Sequence, residues 1–181
     1  MPRIKAIETV YNGYRFRSRL EARWAVFFDA MGFEYQYEPE GFEFDNGLKY
    51  LPDFWLPRVE MYGEVKPTPL TGTDREKVAS LVIATGKKCL QLIGPPDFKP
   101  YWAVERASDW TEEDYRKSFT LGTMQWDYAL VSQYYYTENR FFNSCAGLYE
   151  QESDFAWDKN YIDAVHAARG ARFEHGEEPL T

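Results

Sequence analysis

Leu51-Pro52-Asp53-Phe54-Trp55-Leu56-Pro57, followed closely by Met61-Tyr62-Gly63-Glu64-Val65-Lys66-Pro67, is the stretch on which the reading of this chain turns. Both runs are apolar-rich and each is closed by a proline, which cannot donate to a strand ladder. Residues 49–56 therefore read as one strand and Met61–Lys66 as the next. Just upstream, Asn46-Gly47 is a strong hairpin signal, preceded by extended chain over 33–44 with a break at Pro39–Gly41. Successive strand side chains point to opposite faces, so Glu64 and Lys66 share one face and Val65 takes the other. Hairpin pairing brings Asp53 alongside.

Helices bracket this meander. Ser18-Arg19-Leu20-Glu21 is a capping box, in which a hydroxyl and a carboxylate three residues on satisfy free amides of the first turn. Leu20, Trp24, Phe27, Phe28 and Met31 continue as one apolar stripe at helical spacing, and Gly32 is a plausible stop. At ~100° per residue, Glu21 lies about 100° from Leu20 and about 20° from Phe28. It flanks the buried stripe and leans toward the sheet, whereas Asp29 lies on the far side. A second box, Thr73-Asp74-Arg75-Glu76, opens a helix stopped by Gly86, and Leu90-Gln91-Leu92-Ile93 is a short strand beyond it. Strand, helix and strand at this spacing imply a parallel crossover, hence a mixed α/β fold. Further on, 101–106 reads as a strand, 111–118 as a short helix, 124–136 with 140–149 as an aromatic-rich hairpin, and 161–173 as a final helix. The tail from Glu174 is expected to fray.

Composition bounds the function. Of 181 residues, 44% are apolar and 28% charged, which excludes wholesale disorder. No apolar run approaches the ~20 residues of a membrane span, and no signal segment opens the chain. Two cysteines 56 positions apart (145 − 89) supply neither a disulfide framework nor a metal spacing. The expectation is a soluble intracellular (cytoplasmic) protein without a membrane partner. A net charge of −8 argues against nucleic acid. That charge is uneven, however. Residues 1–31 hold six Lys/Arg against three acids, while 67–181 hold 12 against 18.

Glu21, Asp53, Glu64 and Lys66 form the constellation with chemical content. Carboxylates on adjacent strand ends offer the hard oxygen ligands that Mg²⁺ prefers, and a neighbouring lysine can orient water or stabilise charge on a phosphoryl group. Pro52-Asp53 followed by Glu64-Val65-Lys66 resembles the signature of the PD-(D/E)XK, or restriction-endonuclease-like, nuclease superfamily. Phe16-Arg17-Ser18-Arg19-Leu20-Glu21 resembles the glutamate-bearing first helix of its TnsA-like and Holliday-junction-resolvase-like branches.

The resemblance covers roughly residues 10–95. It implies a mixed central sheet flanked by helices, with residues 1–96 as the core and 97–181 as an aromatic-rich C-terminal extension packed on it in one compact domain. It implies a metal-dependent DNA endonuclease leaving 5′-phosphates, using Mg²⁺ or Mn²⁺. Asp53, Glu64 and the Val65 carbonyl would be metal ligands, Lys66 the catalytic lysine and Glu21 an auxiliary ligand. Gln91 is a further candidate, because some members carry a glutamine soon after the motif.

Arg15, Arg17, Arg19 and Arg23, interleaved with Tyr11, Tyr14 and Phe16, suit a surface that tracks a nucleic-acid backbone. Plainer roles stand beside these. Glu21 completes a capping box, Glu64 with Lys66 can be a surface ion pair, and the arginines can be a solvated face. His166 and His175 read as helix-surface and tail residues, and Cys89 as a core thiol. The rival function is a non-catalytic protein of the same fold that binds nucleic acid, or that docks on or inhibits a partner. DNA, a second copy of the chain or a larger nucleoprotein complex are the expected partners.

Overall fold

The computed structural model describes residues 6–99, 101–105, 130–137, 140–144 and 159–173. The order is β1 (Thr9–Tyr11), β2 (Tyr14–Phe16), α1 (Arg19–Ala30), β3 (Gln36–Tyr37), β4 (Phe42–Glu43), β5 (Lys49–Tyr50), β6 (Phe54–Leu56) and β7 (Met61–Lys66). It continues with α2 (Gly72–Thr85), β8 (Lys88–Ile93), β9 (Tyr101–Glu105), β10 (Leu130–Thr137), β11 (Arg140–Ser144) and α3 (Lys159–Gly170). No helix among the described residues is long and apolar enough to cross a membrane.

Seven strands form one mixed sheet in the order β11-β10-β9-β8-β7-β6-β3, while β1-β2 and β4-β5 are separate two-stranded hairpins. Among the described residues only the β7–β8 pair is parallel, in keeping with the α2 crossover between them. The other neighbours run antiparallel. Strand alternation sorts the sheet into two faces. Phe54, Leu56, Met61, Val65, Leu90 and Leu92 pack with α1 and α3, whose contributions include Trp24, Phe27, Phe28, Tyr161 and Val165. Tyr62, Cys89 and Val104 pack with Val78, Leu81 and Val82 of α2 and with Tyr50 of the β4–β5 hairpin. The result is helix, sheet, helix, with an apolar layer on each side. Because β9 continues the sheet and α3 enters the core of α1, the regions on either side of residue 96 share one core.

Several local expectations hold. Ser18 caps α1, its hydroxyl accepting from the Glu21 N–H (3.2 Å), and the helix closes at Met31 before Gly32. Gly86 caps α2 with φ 66°, a left-handed conformation that glycine adopts without a Cβ penalty. Cys89 is fully buried, and His166 lies exposed on α3 against the ring of Phe98.

Others need correction. Residues 49–56 are not one strand. Pro52 has no N–H to give a ladder, so β5 ends in the hairpin with β4 and the chain crosses to join the main sheet as β6 between β3 and β7. The extended 33–44 segment divides in the same way into β3 and β4. Helix α2 starts earlier than its capping box suggests. Thr71 is the cap residue, without a side-chain cap bond, and the Asp74 N–H reaches the Thr71 carbonyl (3.2 Å). The part of the expected 124–136 and 140–149 hairpin that is described, β10 with β11, pairs antiparallel, while 124–129 and 145–149 lie outside the described residues; the final helix spans Lys159–Gly170 instead of 161–173. The helix at 111–118, Cys145, His175 and the tail lie outside the described residues.

One packing contact yields a prediction. A Cβ built on Gly63 would stand 3.2 Å from Leu92 Cδ1 and 3.3 Å from Phe54 Cβ. Leu92 can turn aside, but Phe54 Cβ is fixed by its own strand. Gly63→Ala is expected to cost about 1–3 kcal/mol, read as a lower midpoint in denaturant unfolding.

Candidate functional site

Asp53 immediately precedes β6, where the chain enters the main sheet after the Pro52 break. Its carboxylate turns across to the next strand, and Oδ2 accepts the Val65 N–H at 2.8 Å. Glu64 and Lys66 lie on β7 and face α2, opposite to Val65. The Tyr50 hydroxyl donates to Glu64 Oε2 at 2.6 Å, and Lys66 Nζ donates to Glu64 Oε1. Glu64 is paired in register with Gln91 of β8, and Gln91 with Trp102 of β9. Glu64 and Gln91 thus stand side by side on the α2 face of the sheet, with Trp102 beyond them.

Burial gives this row its electrostatics. Asp53 is 7% exposed and Glu64 only 3%. Burial, and secondly the Glu64 charge, push the Asp53 carboxyl well above the usual carboxylate range, while Lys66 and the Val65 N–H pull it the other way. Burial alone would lower the Lys66 ammonium, but the charge and hydrogen bond of Glu64, with Asp53 and Asp74 behind them, outweigh it and raise the pKa. The Tyr50 phenol is driven well up, first by burial and then by surrounding negative charge that includes Glu64. At neutral pH Tyr50 is therefore a donor that points one Glu64 oxygen.

Asp53, Glu64 and Lys66 line a cleft of about 530 Å³. Its walls are the β4–β5 hairpin, through Phe42, Glu43, Lys49 and Tyr50, and the first turns of α2, through Asp74 and Lys77. Arg17 also lines it.

Glu21 is in a different situation. It is buried (8% exposed), with Oε1 accepting from the Ser18 hydroxyl (2.6 Å) and Oε2 from the Arg17 N–H (3.0 Å) and the Tyr37 hydroxyl (2.6 Å). It is not among the residues lining the cleft, although its charge contributes to raising Asp53. The capping box is altered accordingly. The carboxylate reaches the cap hydroxyl and the preceding amide, and Tyr37 completes its set of donors.

Of the four arginines, only Arg17 reaches the cleft, and it also pairs with Glu38. Arg15 pairs loosely with Glu8 (3.7 Å) at the surface. The Nε atoms of Arg19 and Arg23 are buried without a hydrogen-bond partner among the described residues. The remaining cations of the cleft, Lys49 and Lys77, were not candidates on sequence grounds. Lys77 carried a usable signal, since it sits in the second turn of the helix that follows Lys66. Lys49 and Tyr50 carried a weaker one as the strand residues just after the Asn46-Gly47 turn.

Among the described residues, no group of three or more His, Cys, Asp or Glu side chains is arranged to hold a metal ion. The smaller set does suit a hard divalent cation. Asp53 and Glu64 are two buried carboxylates whose charges oppose each other on neighbouring strands. A strand residue directs its N–H and carbonyl to the same neighbour, so the Val65 carbonyl faces the Asp53 side and adds an oxygen. Compared with protein-family models, with curated proteins and with solved structures, the chain matches none of them.

Proposed function

We propose that this protein is a metal-dependent DNA endonuclease with a restriction-endonuclease-like core. The observation that carries the reading is one arrangement: Asp53 and Glu64 are both buried and both line one cleft, with Lys66 hydrogen-bonded to Glu64. Asp53, Glu64 and the Val65 carbonyl would hold Mg²⁺ or Mn²⁺. When bound, the ion supplies Lewis-acid activation of water and phosphate.

The chain's own residues do the rest. Tyr50 fixes the orientation of Glu64, and the Val65 N–H fixes that of Asp53. The Lys66 ammonium, charged because of its acidic surroundings, positions the attacking water and meets negative charge as it builds on the phosphorus oxygens. Gln91, beside Glu64 in register, extends the polar floor. Glu21 supports the site by anchoring the start of α1 against Tyr37 rather than from within the cleft.

Cleavage of DNA with Mg²⁺ or Mn²⁺, stopped by EDTA, is the direct test. Purified protein that cuts nothing with either ion overturns the proposal. A finer test concerns Tyr50. Partners that orient metal ligands commonly set metal affinity by 10–100-fold. Tyr50→Phe is therefore expected to weaken Mn²⁺ binding about 10-fold in a direct titration.

A second reading is favoured by one observation: both oxygens of Glu64 already have donors within the chain. A non-catalytic protein of this fold, binding nucleic acid or docking on a partner through its acidic surface, would look the same. Mn²⁺ titration separates the two, because only the nuclease reading requires saturable binding that depends on Asp53.

A further inference from the structure

Resting on the nuclease reading for the identity of the anion, we propose that Arg17 holds a DNA phosphate at this cleft, set in place through its backbone by Glu21 and Tyr37 and occupied at rest by Glu38. Acids and cations are balanced along the lining, so its overall charge does not draw DNA in and the contact falls to a particular side chain. Arg17 is singled out by the way its main chain is held. Its N–H donates to Glu21 Oε2 (3.0 Å) and to the Tyr37 hydroxyl (3.1 Å), and that hydroxyl itself donates to Glu21 Oε2 (2.6 Å). Glu21 is buried, and its other oxygen accepts from the Ser18 hydroxyl. Burial, and then the bond to Glu21, raise the Tyr37 phenol, which stays protonated and keeps donating. The backbone is thereby fixed just before α1, while the side chain, 57% exposed, lines the cleft with Asp53, Glu64 and Lys66.

The guanidinium has a partner that it can give up. It is paired with Glu38, whose φ of 47° is a left-handed conformation uncommon for a residue with a Cβ. The Glu38 N–H donates to the Asp53 carbonyl (2.9 Å), so the pair is built directly beside a proposed metal ligand. An ion pair this open to solvent is weak. A phosphate, by contrast, offers the planar guanidinium two parallel charge-assisted hydrogen bonds. Phosphate at the cleft therefore displaces Glu38, and the free protein keeps its anchoring cation covered.

The test follows a labelled duplex with single-stranded tails by fluorescence anisotropy in EDTA, with Asp53→Asn as the parent protein, so that no ion is held and one cleft carboxylate is neutral. Arg17→Ala should weaken binding about tenfold or more and lower the salt slope by about 0.7–0.9, the worth of one phosphate contact. Glu38→Gln should tighten binding about two- to fivefold, and the gain should vanish once Arg17 is replaced. Tyr37→Phe should weaken binding and add nothing to the loss in Arg17→Ala, which a general loosening of the fold does not predict. The proposal is overturned if Arg17→Ala binds as its parent does, if the Glu38→Gln gain survives in Arg17→Ala, or if the Tyr37→Phe and Arg17→Ala losses add. Binding that depends on Arg17, with no cleavage by the wild type in Mn²⁺, overturns the nuclease reading and leaves Arg17 as a nucleic-acid contact.

Discussion

Asp53→Asn is expected to abolish cleavage, by about 10³-fold or more, and at the same time to make the protein more resistant to heat. The loss follows from the proposed role. A ligand that fixes the ion contributes to several kcal/mol of transition-state stabilisation, and about 4 kcal/mol is about 10³ in rate. The gain follows from burial. Asp53 is a carboxylate 7% exposed beside a second one, and its charged form is disfavoured in the fold. Asparagine keeps an oxygen to accept the Val65 N–H while removing the charge. A gain of about 1 kcal/mol would raise the unfolding midpoint by about 2–4 °C.

The pH dependence has a definite sign. A carboxyl whose pKa is higher in the folded state costs nothing below the usual carboxylate range, because it is protonated in both states. The cost grows as pH rises from there and is complete above the raised value. Wild-type stability should therefore fall over that window relative to the variant. Mn²⁺ at 100 times its dissociation constant should return about 2.7 kcal/mol to the wild type and nothing to Asp53→Asn. Equal cleavage by the two proteins, or equal stabilisation by Mn²⁺, would falsify the assignment.

Lys66→Met should separate metal binding from chemistry. Removing one preorganised donor from a site of developing negative charge typically costs 10²–10³-fold, and a loss of that order is expected in cleavage. Mn²⁺ binding should persist and grow tighter, because the Lys66 ammonium holds Glu64 Oε1 when no ion is present. Methionine preserves the aliphatic stem but leaves Glu64, 3% exposed, with Tyr50 as its remaining side-chain donor. The metal-free variant should therefore melt lower than wild type, and Mn²⁺ should restore it. A purely structural lysine predicts something else, namely binding and cleavage declining together. That outcome would remove Lys66 from the reaction.

Local signals carried much of this molecule. Met61–Lys66 is the strand that its alternation and closing proline predict, and the Ser18 cap and Gly86 stop sit where side-chain chemistry puts them. The parallel pairing of β7 with β8 follows from the intervening helix. What escaped depends on contacts distant in sequence. Pro52 announces a broken ladder, but nothing local says that the chain leaves one sheet for another there. Glu21 looked equally suited to cap or to metal until Tyr37, 16 residues away, supplied the donor that ties it down. Tyr50 meets Glu64 across 14 residues and from a different sheet, which no spacing rule encodes. Lys77 became a cleft residue only because α2 packs against the hairpin as well as the sheet.

The independence of the β4–β5 hairpin has an evolutionary side. It is a two-stranded unit outside the seven-stranded ladder, and its tip, Asp45-Asn46-Gly47, is exposed. Residues inserted at that tip lengthen a loop whose closure entropy grows only slowly, and they break no bond of the main sheet. The two strands also form one wall of the cleft. Selection can therefore reshape the cleft by editing a few codons at a surface turn, while the sheet beside Asp53, Glu64 and Lys66 is inherited unchanged.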